Sequence, residues 1–197
     1  MNLRKAAVRS GVIILIAALS VAFGFLIQSI SDKSDRKKYP RPDEYAGFVS
    51  AYSREYGVPE YVVYSVIKVE SDFQSGLERD GKIGLMQISP EVFEKYGAEL
   101  NETSGVGILY DPETNIKYGT YRLSRLKYDL GTWKSVFAAL YSGEETVAGW
   151  LADTAYSDMA EDGNNAKLRD IPDAGCAAFT ENVMKIEETY KKLYYTD

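Results

Sequence analysis

The chain has 197 residues, 45% of them hydrophobic and 26% charged, enough for one ordinary globular domain with something short beside it. It contains no histidine and a single cysteine, Cys176, which excludes an intrachain disulfide, histidine metal ligation and every mechanism with histidine as base. The formal charge of −6 is unevenly spread: residues 42–197 hold 15 basic and 27 acidic residues, a net −12, which argues against nucleic acid as a partner.

Residues 1–10 are short and basic, with Arg4, Lys5 and Arg9. Residues 11–30 follow as an uncharged apolar run of about one bilayer-spanning length. A cleaved signal peptide and a retained anchor compete here. Ser20-Val21-Ala22 offers a small-x-small site, but the apolar run continues through Phe23 to Ile27, so the uncleaved transmembrane helix is favoured. Basic residues flank the run on both sides, and their count does not settle its orientation. Residues 31–43 carry charge and two prolines, the chemistry of a linker, whose basic side chains could rest on anionic lipid or wall polymer.

The globular part is expected over 44–197. A helix is predicted over 44–56 from Tyr45, Phe48, Val49 and Tyr52, with Gly57 past its end. Pro59 opens a second helix that closes at Ser71-Asp72. A glycine-containing loop over 73–83 has room for one small hairpin. A short helix is predicted over 90–96, ended by Gly97, and a longer one from Pro112 with Asp111 as its cap. Further helices are expected over 133–141, 146–151 and 177–195, the last with the stripe Val183, Ile186, Tyr190 and Leu193. Residues 156–173 read as a polar loop. The expected fold class is therefore mainly α, preceded by the transmembrane helix.

One residue is out of place in this pattern. Val63, Val66, Ile67 and Glu70 fall at i, i+3, i+4 and i+7, which puts a carboxyl on an aliphatic helix face. Desolvation disfavours its charged form, so Glu70 should have a raised pKa, as a general acid requires. The competing reading is an ordinary helix-end Glu that turns to solvent. Asp72, two residues on, points to another face and reads as a cap or loop ligand.

Three runs decide between these readings: Glu70-Ser71-x-Phe73; Gly84-Leu85-Met86-Gln87-Ile88-x-Pro90; and Asp111-Pro112-x-x-Asn115-Ile116-x-x-Gly119-x-x-x-Leu123. In this order they resemble the lytic transglycosylases with the soluble-lytic-transglycosylase (SLT), goose-lysozyme-like fold, which cleave the glycan strands of peptidoglycan. The resemblance covers about residues 44–195. It implies Glu70 as catalytic acid/base, and Ser71, Gly84, Leu85, Met86, Gln87, Asn115 and Tyr141 as residues of the substrate cleft, with Gln87 offering its amide to the sugar. It implies no cofactor and no metal. It further implies one carboxylic acid rather than the usual glycosidase pair and a 1,6-anhydro product from the MurNAc–GlcNAc bond; with the apolar run 11–30 read as a single-pass anchor, it places the catalytic domain outside the cytoplasm.

Departures from the family pattern cluster late in the chain. The sugar-facing Asn of Ala-Tyr-Asn-Ala-Gly is absent: without a gap Tyr141 stands in its register, and with a one-residue deletion Tyr141 is the family Tyr. Gly175-Cys176 replaces the usual Glu-Thr, and Phe179 replaces a Tyr. A hydrolytic muramidase and a catalytically weak wall-binding scaffold of an envelope machine are the rival readings.

Overall fold

The computed structural model describes residues 19–24, 26–27, 33–102, 105–159 and 166–196. The chain forms two compact units, Met1–Pro40 and Arg41–Asp197. In the first, residues 19–24 and 26–27 are helical, with Leu19, Val21, Phe23, Leu26 and Ile27 exposed. Most of the expected 11–30 span and all of the 1–10 segment lie outside the described residues. Among the described residues, no helix is long and apolar enough to cross a membrane. The expected linker is partly helical, over residues 33–38.

The second unit is mainly helical. Its elements are α1 (Asp43–Tyr56), α2 (Glu60–Glu70), β1 (Glu78–Arg79), β2 (Lys82–Ile83), α3 (Pro90–Glu99), a 3-10 turn (Val106–Tyr110), α4 (Pro112–Leu130), α5 (Trp133–Ser142), α6 (Glu144–Ala152), β3 (Ser157–Met159), β4 (Ala166–Leu168) and α7 (Ala174–Tyr194). The helix ends follow local chemistry. Gly57 takes a left-handed φ of 68° and stops α1, with its N–H bonded to Ser53 O. Asp111 accepts from Thr114 N at 2.8 Å, and Pro112 occupies the first turn of α4.

The core forms where the apolar stripes meet. Helix α2 packs on α7, α1 on α4, and α5 on α7. Val62, Val63, Val66 and Ile67 of α2 are buried, as are Ile116, Leu123 and Leu126 of α4, Val136 and Phe137 of α5, and Val183 and Tyr190 of α7. At the start of the domain, the Arg41 guanidinium lies over the rings of Tyr64, Tyr194 and Tyr195, 5.0–5.3 Å from their centroids, and 3.3 Å from Glu60 Oε2. Tyr195 donates to the same Glu60 oxygen at 2.7 Å. Arg41→Ala is expected to cost about 1–2 kcal/mol. Thermal unfolding checks this, and an unchanged midpoint would show that the clamp contributes nothing.

Three expectations about the elements need correction. Helix α3 runs through Gly97 to Glu99. There the missing side chain serves close packing, since a Cβ on Gly97 would lie 3.2 Å from Glu102 O. Helix α7 starts at Ala174 rather than 177, because Asp173 caps it by accepting from Cys176 N at 2.6 Å. The region read as a polar loop contains a second hairpin, β3 against β4, paired Ser157 to Leu168 and Met159 to Ala166. These strands are too short for alternation to show. They are held from outside by the Arg169 side chain, which donates to Asp158, Asp170 and the Ala155 carbonyl.

Candidate active site

Helix α2 delivers Glu70 at its last turn, on the buried face with Val63, Val66 and Ile67, and leaves it only 6% exposed. The chain then reverses sharply. Asp72 and Phe73 both take left-handed φ, 49° and 65°, and the Phe73 ring packs 6.4 Å from each of Tyr45 and Tyr64. The Asp72 carboxylate turns outward to Lys68. The β1–β2 hairpin brings the chain back, pairing Glu78 with Ile83 and Arg79 with Lys82.

Residues 83–88 form the floor beside the acid. Ile83 and Ile88 exchange backbone hydrogen bonds at 3.0 Å, which folds the intervening residues into a tight loop. Ser71 Oγ stands 2.8 Å from Leu85 O and 3.1 Å from Ile67 O, so its hydroxyl ties this loop to the end of α2. Gly84 is required by its surroundings. It has φ 78°, and a Cβ there would fall 2.2 Å from Asn115 Nδ2 and 2.7 Å from Leu109 O.

Asn115 makes the loop part of the core. Its Oδ1 accepts from Met86 N at 2.8 Å, and its Nδ2 donates to Ile83 O and Leu109 O at 2.9 Å each. One turn on, Gly119 leaves room for the Met86 thioether, whose sulfur would be 2.2 Å from a Cβ at that position.

The structure therefore brings Glu70, Ser71, Gly84, Leu85, Met86, Gln87 and Asn115 together, but several do work other than that expected. Asn115 is fully buried and its amide is used up on backbone groups, so it supports the floor and does not face a sugar. Gln87 is also buried, at φ 48°, and spends both amide protons on Leu77 O and Gly84 O, at 3.1 and 2.8 Å. It has no donor left for an N-acetyl group. Leu85 and Met86 are buried apolar walls.

Three cations surround the acid, and none was singled out in the sequence. Arg79 Nη2 donates to the Glu70 carbonyl at 2.9 Å and stands 3.4 Å from Oε2. Lys82, whose Nζ is 3.5 Å from Leu140 O, links the hairpin to the end of α5. Arg122 lies one turn beyond Gly119 and two beyond Asn115, on the α4 face that meets the loop. The signal for Arg122 was an arginine set between Gly119, Leu123 and Leu126 on a core-facing helix.

Burial pushes the Glu70 pKa up, against the pull of Lys82, then Arg122, then Arg79. Arg79 makes the direct contact but is half-exposed and screened, so the less direct Lys82 pulls harder. Among the described residues, no carboxylate is among the groups that act on Glu70.

A folded-state pKa above the unfolded value means that folding takes up a proton at Glu70. The associated stability is fully present below the unfolded pKa and is lost as pH rises through the folded one. Glu70→Gln is therefore expected to unfold at a higher temperature than wild type at pH 7, with the gain vanishing near pH 4. Melting curves at the two pH values check this, and a lower midpoint at pH 7 would contradict it.

The late departures from the family pattern meet at one place. Tyr141, at the end of α5, is 51% exposed, and its ring lies 5.5 Å from that of Phe179 on α7. A Cβ on Gly175 would sit 2.5 Å from the Tyr141 hydroxyl, so the large residue on one helix is matched by the missing side chain on the other. Cys176 next to it is buried, with Sγ 3.5 Å from Ala138 O. Tyr110, half-exposed, donates to Glu78 on the hairpin at 2.6 Å. Among the described residues, no group of three or more Cys, Asp or Glu side chains is placed to hold a metal ion.

Residues 48–162 match the Transglycosylase SLT domain family. Among solved structures, the chain is similar to the 70 kDa soluble lytic transglycosylase from Escherichia coli, with 22% identity and a TM-score of 0.70 over 82% of this chain and 26% of that one. An inactive variant of the lytic transglycosylase Slt from Pseudomonas aeruginosa matches with 22% identity and a TM-score of 0.67, over 78% and 24% of the two chains. The complex of the 70 kDa enzyme with bulgecin A matches with 23% identity and a TM-score of 0.68, over 79% and 25%. The present chain thus spans about a quarter of the length of these proteins.

Proposed function

The chain belongs to the Transglycosylase SLT domain family, and from that premise we propose that it is a peptidoglycan lytic transglycosylase with Glu70 as its single acid and base. The observation that carries the reading is a buried carboxyl at the end of α2 whose charged neighbours are all cations. A glycosidase that uses a second carboxylate, as nucleophile or to activate water, needs that group within about 5–10 Å of the first. Asp72, the nearest in sequence, is turned away and bonded to Lys68.

In the proposed reaction Glu70, whose neutral form burial favours, gives its proton to the oxygen linking MurNAc to GlcNAc. The C1–O bond of the MurNAc breaks, and its electron pair leaves with that oxygen. The Glu70 carboxylate, now stabilised by Lys82, Arg122 and Arg79, removes the proton from the MurNAc C6 hydroxyl. Oxygen 6 then bonds to C1, which closes a 1,6-anhydro ring and returns Glu70 to its acid form. No water is consumed.

The same Glu must serve as acid and then as base, and its environment suits both. Burial favours the neutral form, while three cations keep the ionised form within reach. The exposed Tyr141 ring offers an apolar face for a sugar on the α5 side of the acid. The apolar run over 11–30 supports a single-pass membrane protein with this domain outside the cytoplasm, where the wall substrate lies. Protease protection of the domain in intact cells tests the placement, and the mass of released wall fragments tests the chemistry.

A further inference from the structure

The guanidinium of Arg122 has no hydrogen-bonded partner among the described residues. The residue is only 9% exposed, yet among the described residues it makes no hydrogen bond and no ion pair. The sealed and unpaired side-chain atoms are Ser53 Oγ, the hydroxyls of Tyr56 and Tyr64, Gln87 Oε1 and Thr120 Oγ1. Arg122 nitrogens are not among them, so this otherwise covered side chain reaches solvent at its tip. A charge so deeply placed costs several kcal/mol unless a partner compensates it, so its neighbours are informative.

Tyr96, Glu70 and Glu144 act on Arg122, and each is an incomplete counter-ion. Glu70 is held toward its neutral form by burial. Glu144 is bonded to Lys95 at 2.8 Å. Tyr96 is a buried phenol. Arg79 and Lys82 also act on Glu70 as positive charges. The site thus gathers cations within a domain of net charge −12. A planar guanidinium with free N–H groups is shaped for a carboxylate.

We propose that Arg122 anchors a carboxylate carried by the glycan substrate. The inference rests on the transglycosylase reading and narrows its substrate class. Hydroxyl and N-acetyl groups of the strand are neutral. Its carboxylates are the lactyl carboxylate of a MurNAc from which the stem peptide has been removed, and those of the stem peptide itself. Both present the same fork to Arg122, and both sit on the sugar whose C1 bond is cut.

The test uses the full chain and four strand preparations: peptide-bearing strands, amidase-stripped strands, and each of these with its carboxylates capped as methylamides. Equilibrium binding is read by fluorescence anisotropy on end-labelled strands, with release of anhydro ends measured beside it. Wild type is expected to bind at least one uncapped preparation tenfold or more tighter than its capped form, and the pair that shows the difference identifies the source of the carboxylate. Arg122→Met should bring that ratio close to one, and Arg122→Lys should retain part of it.

The proposal is overturned if capping leaves wild-type binding unchanged, or if Arg122→Met, folded by its melting curve, weakens all four preparations equally. Should Arg122→Met fail to fold, the capping ratio of wild type against Arg122→Lys decides, and equal ratios count against the anchor. A capping effect without any anhydro product would uphold the anchor and overturn the transglycosylase reading.

Discussion

Glu70→Gln is expected to lower the release of anhydro-ended wall fragments by at least about 10³-fold, toward the upper part of the range for losing an acid–base group. The effect should be large because one side chain supplies both proton transfers, and the charged groups among the described residues that act on it are cations. The amide matches the acid in shape and in its favoured neutral state, so the fold should persist and the loss should be chemical. Product chromatography read against the melting curve separates the two. Retention of more than a tenth of wild-type turnover would place the acid elsewhere.

Asn115→Leu should have the largest effect on stability. The side chain joins α4 to Met86 N, Ile83 O and Leu109 O. Leucine fills similar space but leaves the buried Met86 N–H without its acceptor and Leu109 O without its donor, while Ile83 O keeps its bond from Ile88 N. At about 1–3 kcal/mol for each of these two orphaned groups, partly relieved by relaxation, the cost is about 3 kcal/mol. Ser71 bonds to the same loop through Leu85 O, so the floor beside Glu70 should loosen and turnover should fall with stability. Urea unfolding measures the first effect, and a cost under about 1 kcal/mol would mean that the amide does not hold the loop.

What could be read from the sequence was local or periodic. The spacing of Val63, Val66, Ile67 and Glu70 places the acid on a buried face, and Asp111-Pro112 starts α4 where capping chemistry says it should. Contacts between distant segments were not legible. Asn115 and Gln87 look like sugar-binding amides in a motif, but only the fold reveals that backbone groups already use them. Tyr141 and Gly175 read as two separate departures, whereas packing makes them one compensated change. The cations around Glu70 come from β1, β2 and α4, and no spacing rule links them. Helix α7 began earlier than its apolar stripe because its cap, Asp173, lies outside the stripe.

In the proposed reaction one buried acid cuts the glycan strand without water. The most direct measurement is the mass of the glycan ends released when the full chain digests purified wall sacculi in water enriched in oxygen-18. The expected products are 1,6-anhydro MurNAc ends, one water lighter than reducing ends and free of the heavy isotope. Reducing ends that carry oxygen-18 at C1 would show hydrolysis and contradict it.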